Sequence, residues 1–219
     1  MNIALFGGTF DPVHSGHIAA ARAAQTAFSL DQIHFVPARV PPHKRQRYLT
    51  AFPHRHAMVA LACAGIPGFL PSILESRGEK QGEPNYSITT IRNVAEQLQF
   101  HDRLFFLIGA DAFLDINTWK DPVALLDSAD FIIVSRPGFA IARAAEVIPS
   151  ELHPAAMSDH CIQLRCKRIH LLTTVEANIS SSRIRELASQ NNPLKGLVPE
   201  AVEEYIQKLS LYQNEDQVE

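Results

Sequence analysis

The sequence has little that would mark a secreted, membrane-bound or polynucleotide-binding protein. Its 219 residues include 3 cysteines, an odd and small number that fits a reducing compartment better than a disulfide framework. No apolar run approaches the roughly 20 residues that span a bilayer. The first apolar run begins at Ile3 and leaves no room for a signal peptide, so a cytoplasmic protein with no membrane partner is expected. An excess of positive charge is also missing. Lys and Arg number 20 against 23 Asp and Glu, a formal charge of -3, which argues against a general grip on nucleic acid and leaves any nucleotide to a local basic site. There is no internal repeat and no low-complexity tract. With 46% hydrophobic and 20% charged residues the chain is ordinary globular material, long enough for one full domain. A single domain over 1–219 is expected, with a C-terminal helical portion at about 180–211 packed on it.

What is present is concentrated near the start. Ile3, Ala4, Leu5 and Phe6 are four apolar residues without alternation, as in a parallel strand covered on both faces. Gly7 and Gly8 end it, and an alanine-rich helix candidate runs from His17 to Phe28. Strand, glycine turn and helix start are the layout of a phosphate site. Glycines remove the side chains that would keep a phosphate from the backbone, and the first N–H groups of a helix have no partner within it. The turn is neither the spaced-glycine dinucleotide fingerprint nor a Walker loop, because no Gly-Lys-Ser/Thr follows. Instead His14 and His17 stand three apart around Gly16, which puts both imidazoles on one face of the first turn. Imidazoles can hydrogen-bond phosphoryl oxygens and, when protonated, offset charge that builds in a transition state.

Gly7-Gly8-Thr9-Phe10-Asp11-Pro12 followed by His14-Ser15-Gly16-His17 resembles the signature of the nucleotidyltransferases that transfer an adenylyl group from ATP, and most of all their nicotinate-mononucleotide adenylyltransferase family. Further stretches carry the resemblance along the chain. Pro41-Pro42-His43-Lys44 is similar to a family motif at this distance from the first. So are the run from Phe106 to Asp111 with Trp119-Lys120 eight residues on, Ser135-Arg136-Pro137-Gly138, Ile179-Ser180-Ser181-Ser182 with Arg185, and Leu197-Val198-Pro199 with Tyr205-Ile206. Asn85-Tyr86-Ser87-Ile88-Thr89-Thr90 matches the family's Ser-Tyr-Thr-like stretch only in part. Residues 140–168 do not share the resemblance.

Read in order, strand candidates fall at 3–6, 33–36, 69–74, 104–108, 131–134 and 169–173. They alternate with helices at 54–64, 86–100 and 122–126 and near 180–188 and 199–211. Six strands alternating with helices predict a doubly wound parallel α/β sheet, a Rossmann-like nucleotidyltransferase fold. In such sheets ligands bind beyond the carboxyl ends of the strands. The prolines at 41 and 42 prevent a helix and leave a basic loop at one such end. Asp111, just past a strand and beside Gly109, suits either a ribose contact or a helix cap. Trp119 suits core packing or stacking, and the resemblance favours stacking near the pyridine ring. Ser182 and Arg185 are three apart and can share a ligand, whereas Arg183 and Arg185 cannot. His153, His160, Cys161, Cys166 and His170 raise the question of zinc, but their spacing is no recognised ligand set, and no protein metal site is expected.

The resemblance implies transfer of an adenylyl group from ATP to nicotinate mononucleotide, giving deamido-NAD and pyrophosphate. It assigns catalysis to His17, His14, Lys44 and Arg185. ATP would meet Gly8, Thr9, Phe10, His14, His17, Gly109, Asp111, Ser181, Ser182 and Arg185. The mononucleotide would meet His43, Lys44, Tyr86, Thr90, Trp119 and Arg136. Mg2+ is expected with ATP, held largely by phosphates and water. The preference for the acid over the amide mononucleotide and the oligomeric state, a homo-oligomer included, are left open by the sequence.

Overall fold

The computed structural model describes residues 1–39, 49–76, 85–135, 138–152, 154–173 and 179–213. His43, Lys44, Arg136 and His153 therefore lie outside the described residues. Strand β1 (Asn2–Gly8) shows how the sheet is built. Its side chains alternate between two hydrophobic clusters, Ala4 and Phe6 in one and Ile3 and Leu5 in the other. That alternation follows from the two-residue period of a strand, and both faces are apolar because both are covered. Strand β4 (Arg103–Gly109) repeats it, with Phe105 and Leu107 on one side and Leu104, Phe106 and Ile108 on the other.

β1 pairs in parallel with β2 (Gln32–Pro37) on one side and with β4 on the other. Outward from β2 comes β3 (Phe69–Pro71); outward from β4 come β5 (Asp130–Ser135) and β8 (Arg168–Thr173), all parallel. The chain thus builds away from β1 in one direction and then returns to build in the other. A crevice opens at that reversal, between β1 and β4. One face carries α1 (Ser15–Phe28), α2 (Phe52–Cys63), α7 (Ser181–Ser189) and α8 (Glu200–Lys208), whose buried residues join the Phe6 cluster. The other carries α3 (Ser87–Ala95), α5 (Pro122–Leu126), α6 (Ile141–Ala145) and the short α4 (Ala110–Leu114).

The doubly wound sheet is present, with departures from the expected elements. Among the described residues it has eight strands rather than six, because residues 140–168 supply β6 (Ala156–Met157) and β7 (Cys161–Gln163), which extend the sheet antiparallel beyond β8. Strands this short have no readable period. β3 stops at Pro71 rather than Leu74 and lies at the sheet edge, where a residue without an N–H is tolerated. α3 ends at Ala95 rather than near Phe100, closing with tight turns from Gln97 N–H to Val94 O and Leu98 N–H to Ala95 O. No helix among the described residues is long and apolar enough to cross a membrane.

Candidate active site

The site begins at the junction of β1 and α1. Its two histidines form a capping box. His14 is the N-cap of α1, and its Nδ1 accepts the His17 N–H at 3.3 Å, while His17 Nδ1 accepts the His14 N–H at 3.2 Å. The usual capping box joins a hydroxyl to a carboxylate or amide; here two imidazoles serve instead. Because Nδ1 of each ring accepts, the neutral rings carry their hydrogen on Nε2, as donors. The rings stack with centroids 3.6 Å apart. Burial pushes the His14 pKa down to about 4, so His14 is neutral near pH 7 and acts as a hydrogen-bond donor rather than the positive charge that the sequence allowed.

The glycines before it have a packing reason that the sequence does not display. A Cβ on Gly7 would stand 2.9 Å from Phe106 Cζ, and one on Gly8 would stand 2.9 Å from Phe10 Cζ. Phe10, 2% exposed, packs edge-on against Phe6 and His17. The turn therefore lies against aromatic rings, and any side chain at residue 7 or 8 would lift it off them.

From this turn a cleft of about 900 Å³ runs across the carboxyl ends of β1, β2, β4 and β5. The structure brings Gly8, Thr9, His14, His17, Gly109, Asp111, Tyr86 and Trp119 together on its wall. Gly109, not Asp111, takes the cap position of α4, so Asp111 is an exposed carboxylate in the first turn of that helix. Trp119 is half-buried and meets Phe106 edge to face at 6.5 Å. Beside it Lys120 sets its ammonium 4.4 Å from the centre of the Tyr86 ring, a cation–π contact at the far end from the histidines.

Other predicted residues do not line this cleft. Thr90 is buried and does not line the cleft; its hydroxyl donates to Glu75 Oε1 at 2.8 Å. Ser181 donates to Pro12 O at 3.0 Å. Arg185 donates through Nη1 to Asp11 O at 2.7 Å and through Nη2 to Ser182 Oγ at 3.3 Å, so Ser182 and Arg185 do share one face of α7. Ser180 caps that helix by accepting the Arg183 N–H at 3.3 Å. Among the described residues no cluster of three or more His, Cys, Asp or Glu side chains is placed to hold a metal.

Two groups were missed by sequence reading. Glu75 lines the cleft yet is only 7% exposed, and burial raises its pKa to about 7 against the pull of Thr90 and Arg55. Arg55 is 0% exposed in the first turn of what reads as a packing helix. Its guanidinium donates to Thr9 O at 2.7 Å, Thr50 O at 2.8 Å and Arg39 O at 3.2 Å. Neither residue sits in a motif, and a charge one turn into an alanine-rich helix gives no sign that it points inward.

A glycine turn and helix start at the reversal point of a doubly wound sheet, with two imidazole donors facing a long cleft, define a nucleotide-binding α/β transferase. Residues 5–187 match the family described as cytidylyltransferase-like. A protein of Geobacter sp. named "Probable nicotinate-nucleotide adenylyltransferase" is 38% identical over 97% of this chain and 98% of its own. One of the same name from Moorella thermoacetica is 38% identical over 96% and 91%. The chain belongs to the nicotinate-nucleotide adenylyltransferases within that cytidylyltransferase-like family. The fold is also that of the Plasmodium falciparum nicotinic acid mononucleotide adenylyltransferase solved with APC, with a TM-score of 0.71 at 22% identity over 96% of each chain. The same enzyme solved with NaAD gives 0.70.

Proposed function

We propose that this chain transfers the adenylyl group of ATP to nicotinate mononucleotide, giving deamido-NAD and pyrophosphate, a step of NAD biosynthesis. The observation that carries the reading at the site is the histidine capping box at the head of a cleft that ends at Trp119 and Tyr86. A phosphate oxygen of the mononucleotide attacks the α-phosphorus in line. The bond from that phosphorus to the oxygen bridging to the β-phosphate breaks, and pyrophosphate leaves with the electron pair. Catalysis of such a transfer is positioning and stabilisation of charge on phosphoryl oxygens.

His17 donates to the α-phosphate as charge builds there, and His14 supports it from the cap position. Backbone groups of Gly8, Thr9 and Phe10 receive phosphate oxygens, with Asp111 and Gly109 toward the ribose and Trp119 and Tyr86 toward the pyridine ring. Lys44 and His43, on the basic loop, and Arg136 remain assigned by motif. Mg2+ fits a donor set of this kind when it arrives with the nucleotide, since triphosphate oxygens and water supply most of its shell and exposed Asp111 and Asp115 line the same cleft. Bound there, it would neutralise triphosphate charge.

The test is pyrophosphate release from Mg-ATP with nicotinate mononucleotide and, separately, with nicotinamide mononucleotide. Rapid release with the acid form and little with the amide is the expected result. Release with neither, while ATP still binds, would overturn the assignment.

A further inference from the structure

The phosphate turn does not hold its own shape. Its carbonyls are taken by donors from distant parts of the chain: Gly8 O by the Ala38 N–H at 2.9 Å, Thr9 O by Arg55, Asp11 O by Arg185 and Pro12 O by Ser181. At its far end the Ser15 N–H donates to Leu197 O at 2.8 Å. In the middle sits the Asp11 side chain, 3% exposed and absent from the cleft wall. It is therefore not placed to meet a substrate. Its Oδ2 accepts the Thr50 N–H at 3.3 Å, and its Oδ1 accepts the hydroxyl of Tyr212 at 2.9 Å, from 201 residues away.

Tyr212 reaches Asp11 from a turn that follows α8, and the backbone there is unusual. Ser210 and Tyr212 adopt φ of 50° and 69°, left-handed values that are uncommon for an aromatic residue and persist only where surroundings fix them. Burial, with the Asp11 carboxylate beside it, raises the pKa of the phenol, so it keeps its proton and remains a donor. Tyr205, on α8 itself, makes a separate contact: its hydroxyl meets His54 Nδ1 at 3.0 Å and ties α8 to α2.

We propose that Tyr212 is a positioning residue for the phosphate-binding turn: by donating to the buried Asp11 carboxylate it fixes the turn against the segment that follows α8, so that segment completes the ATP half of the site. The inference rests on the adenylyl-transfer reading for its kinetic test.

Tyr212→Phe keeps the ring and removes only the donor. Steady-state pyrophosphate release is measured for it, for Tyr205→Phe and for the parent protein, with KM for each substrate, kcat and Tm, together with calorimetric affinity for Mg-ATP in the absence of the acceptor. Tyr212→Phe is expected to raise the KM for ATP and weaken ATP binding about tenfold, with the mononucleotide KM within about twofold, as loss of a bond to a charged group allows. Tyr205→Phe is expected to leave both KM values within about twofold. A role in folding alone would reduce the active fraction, lowering kcat and Tm with both KM values intact. That result, or an equal rise in the ATP KM for Tyr205→Phe, would overturn the proposal. If the parent protein binds ATP but releases no pyrophosphate, the adenylyl-transfer reading fails, and the ATP affinities alone still decide the role of Tyr212.

Discussion

His14 and His17 show how a residue's chemistry follows from its hydrogen bonds. Each ring spends Nδ1 on the other's backbone N–H, and that fixes which nitrogen is left to donate. His17→Ala should lower turnover about a hundredfold or more, as loss of an oxyanion donor does; turnover near that of the parent would remove His17 from the role. Glu75 makes a second prediction, about stability. Its pKa is raised from 4.5 to about 7 by burial, so between those values the folded protein binds a proton that the unfolded chain does not. Stability from this group is then complete below about pH 4.5 and is lost as pH rises through 7. Glu75→Gln removes that loss while keeping an acceptor for Thr90. The stability of the variant relative to the parent should therefore increase by about 3 kcal/mol between pH 4.5 and pH 8. His14, with its pKa lowered to about 4, acts in the opposite sense, and its contribution is lost as pH falls from 6.5 toward 4. Denaturant melts of both proteins across this range read the difference directly, and parallel pH profiles would sink the claim for Glu75.

At the scale of elements, α2 is more than a packing helix. Met58, Val59, Ala62 and Cys63 bury its apolar face. Arg55, near its start, instead joins carbonyls from three separate segments. Only a planar fork of five N–H donors can do so from one side chain. Arg55→Lys keeps the charge but not the fork, and two of the three carbonyls would lose their donor. A loss of about 3 kcal/mol is expected, or roughly 6–12 °C in Tm for a chain of this size. A Tm within 2 °C or so of the parent would mean that the carbonyls find other partners. α7 was more legible: a serine and an arginine three apart were visible as spacing, and that spacing does place Ser182 and Arg185 on one face. Its destination was not visible, since nothing local says that Arg185 reaches Asp11.

For the whole molecule, the reversal of strand order between β1 and β4 gathers groups from residue 6 to residue 179 around one cleft. A ligand that spans it bridges both halves of the sheet and stabilises the fold by mass action. Mg-ATP at a hundred times its Kd should add about 2.7 kcal/mol, or roughly 5–10 °C in Tm. An unchanged Tm at saturating Mg-ATP would show that the free protein does not hold the nucleotide.

The sequence by itself determined the β–turn–α start, the parallel sheet and the family, because buried parallel strands are continuous apolar runs and a phosphate turn is a contiguous motif. It left β6 and β7 unreadable, since two or three residues have no period, and it gave no sign of Glu75, Arg55 or the Tyr212–Asp11 contact. Those were decided only by tertiary structure. A buried charge is stable where carbonyls or carboxylates from remote segments converge on it, and convergence across 201 residues is a property of the folded chain, not of any stretch within it.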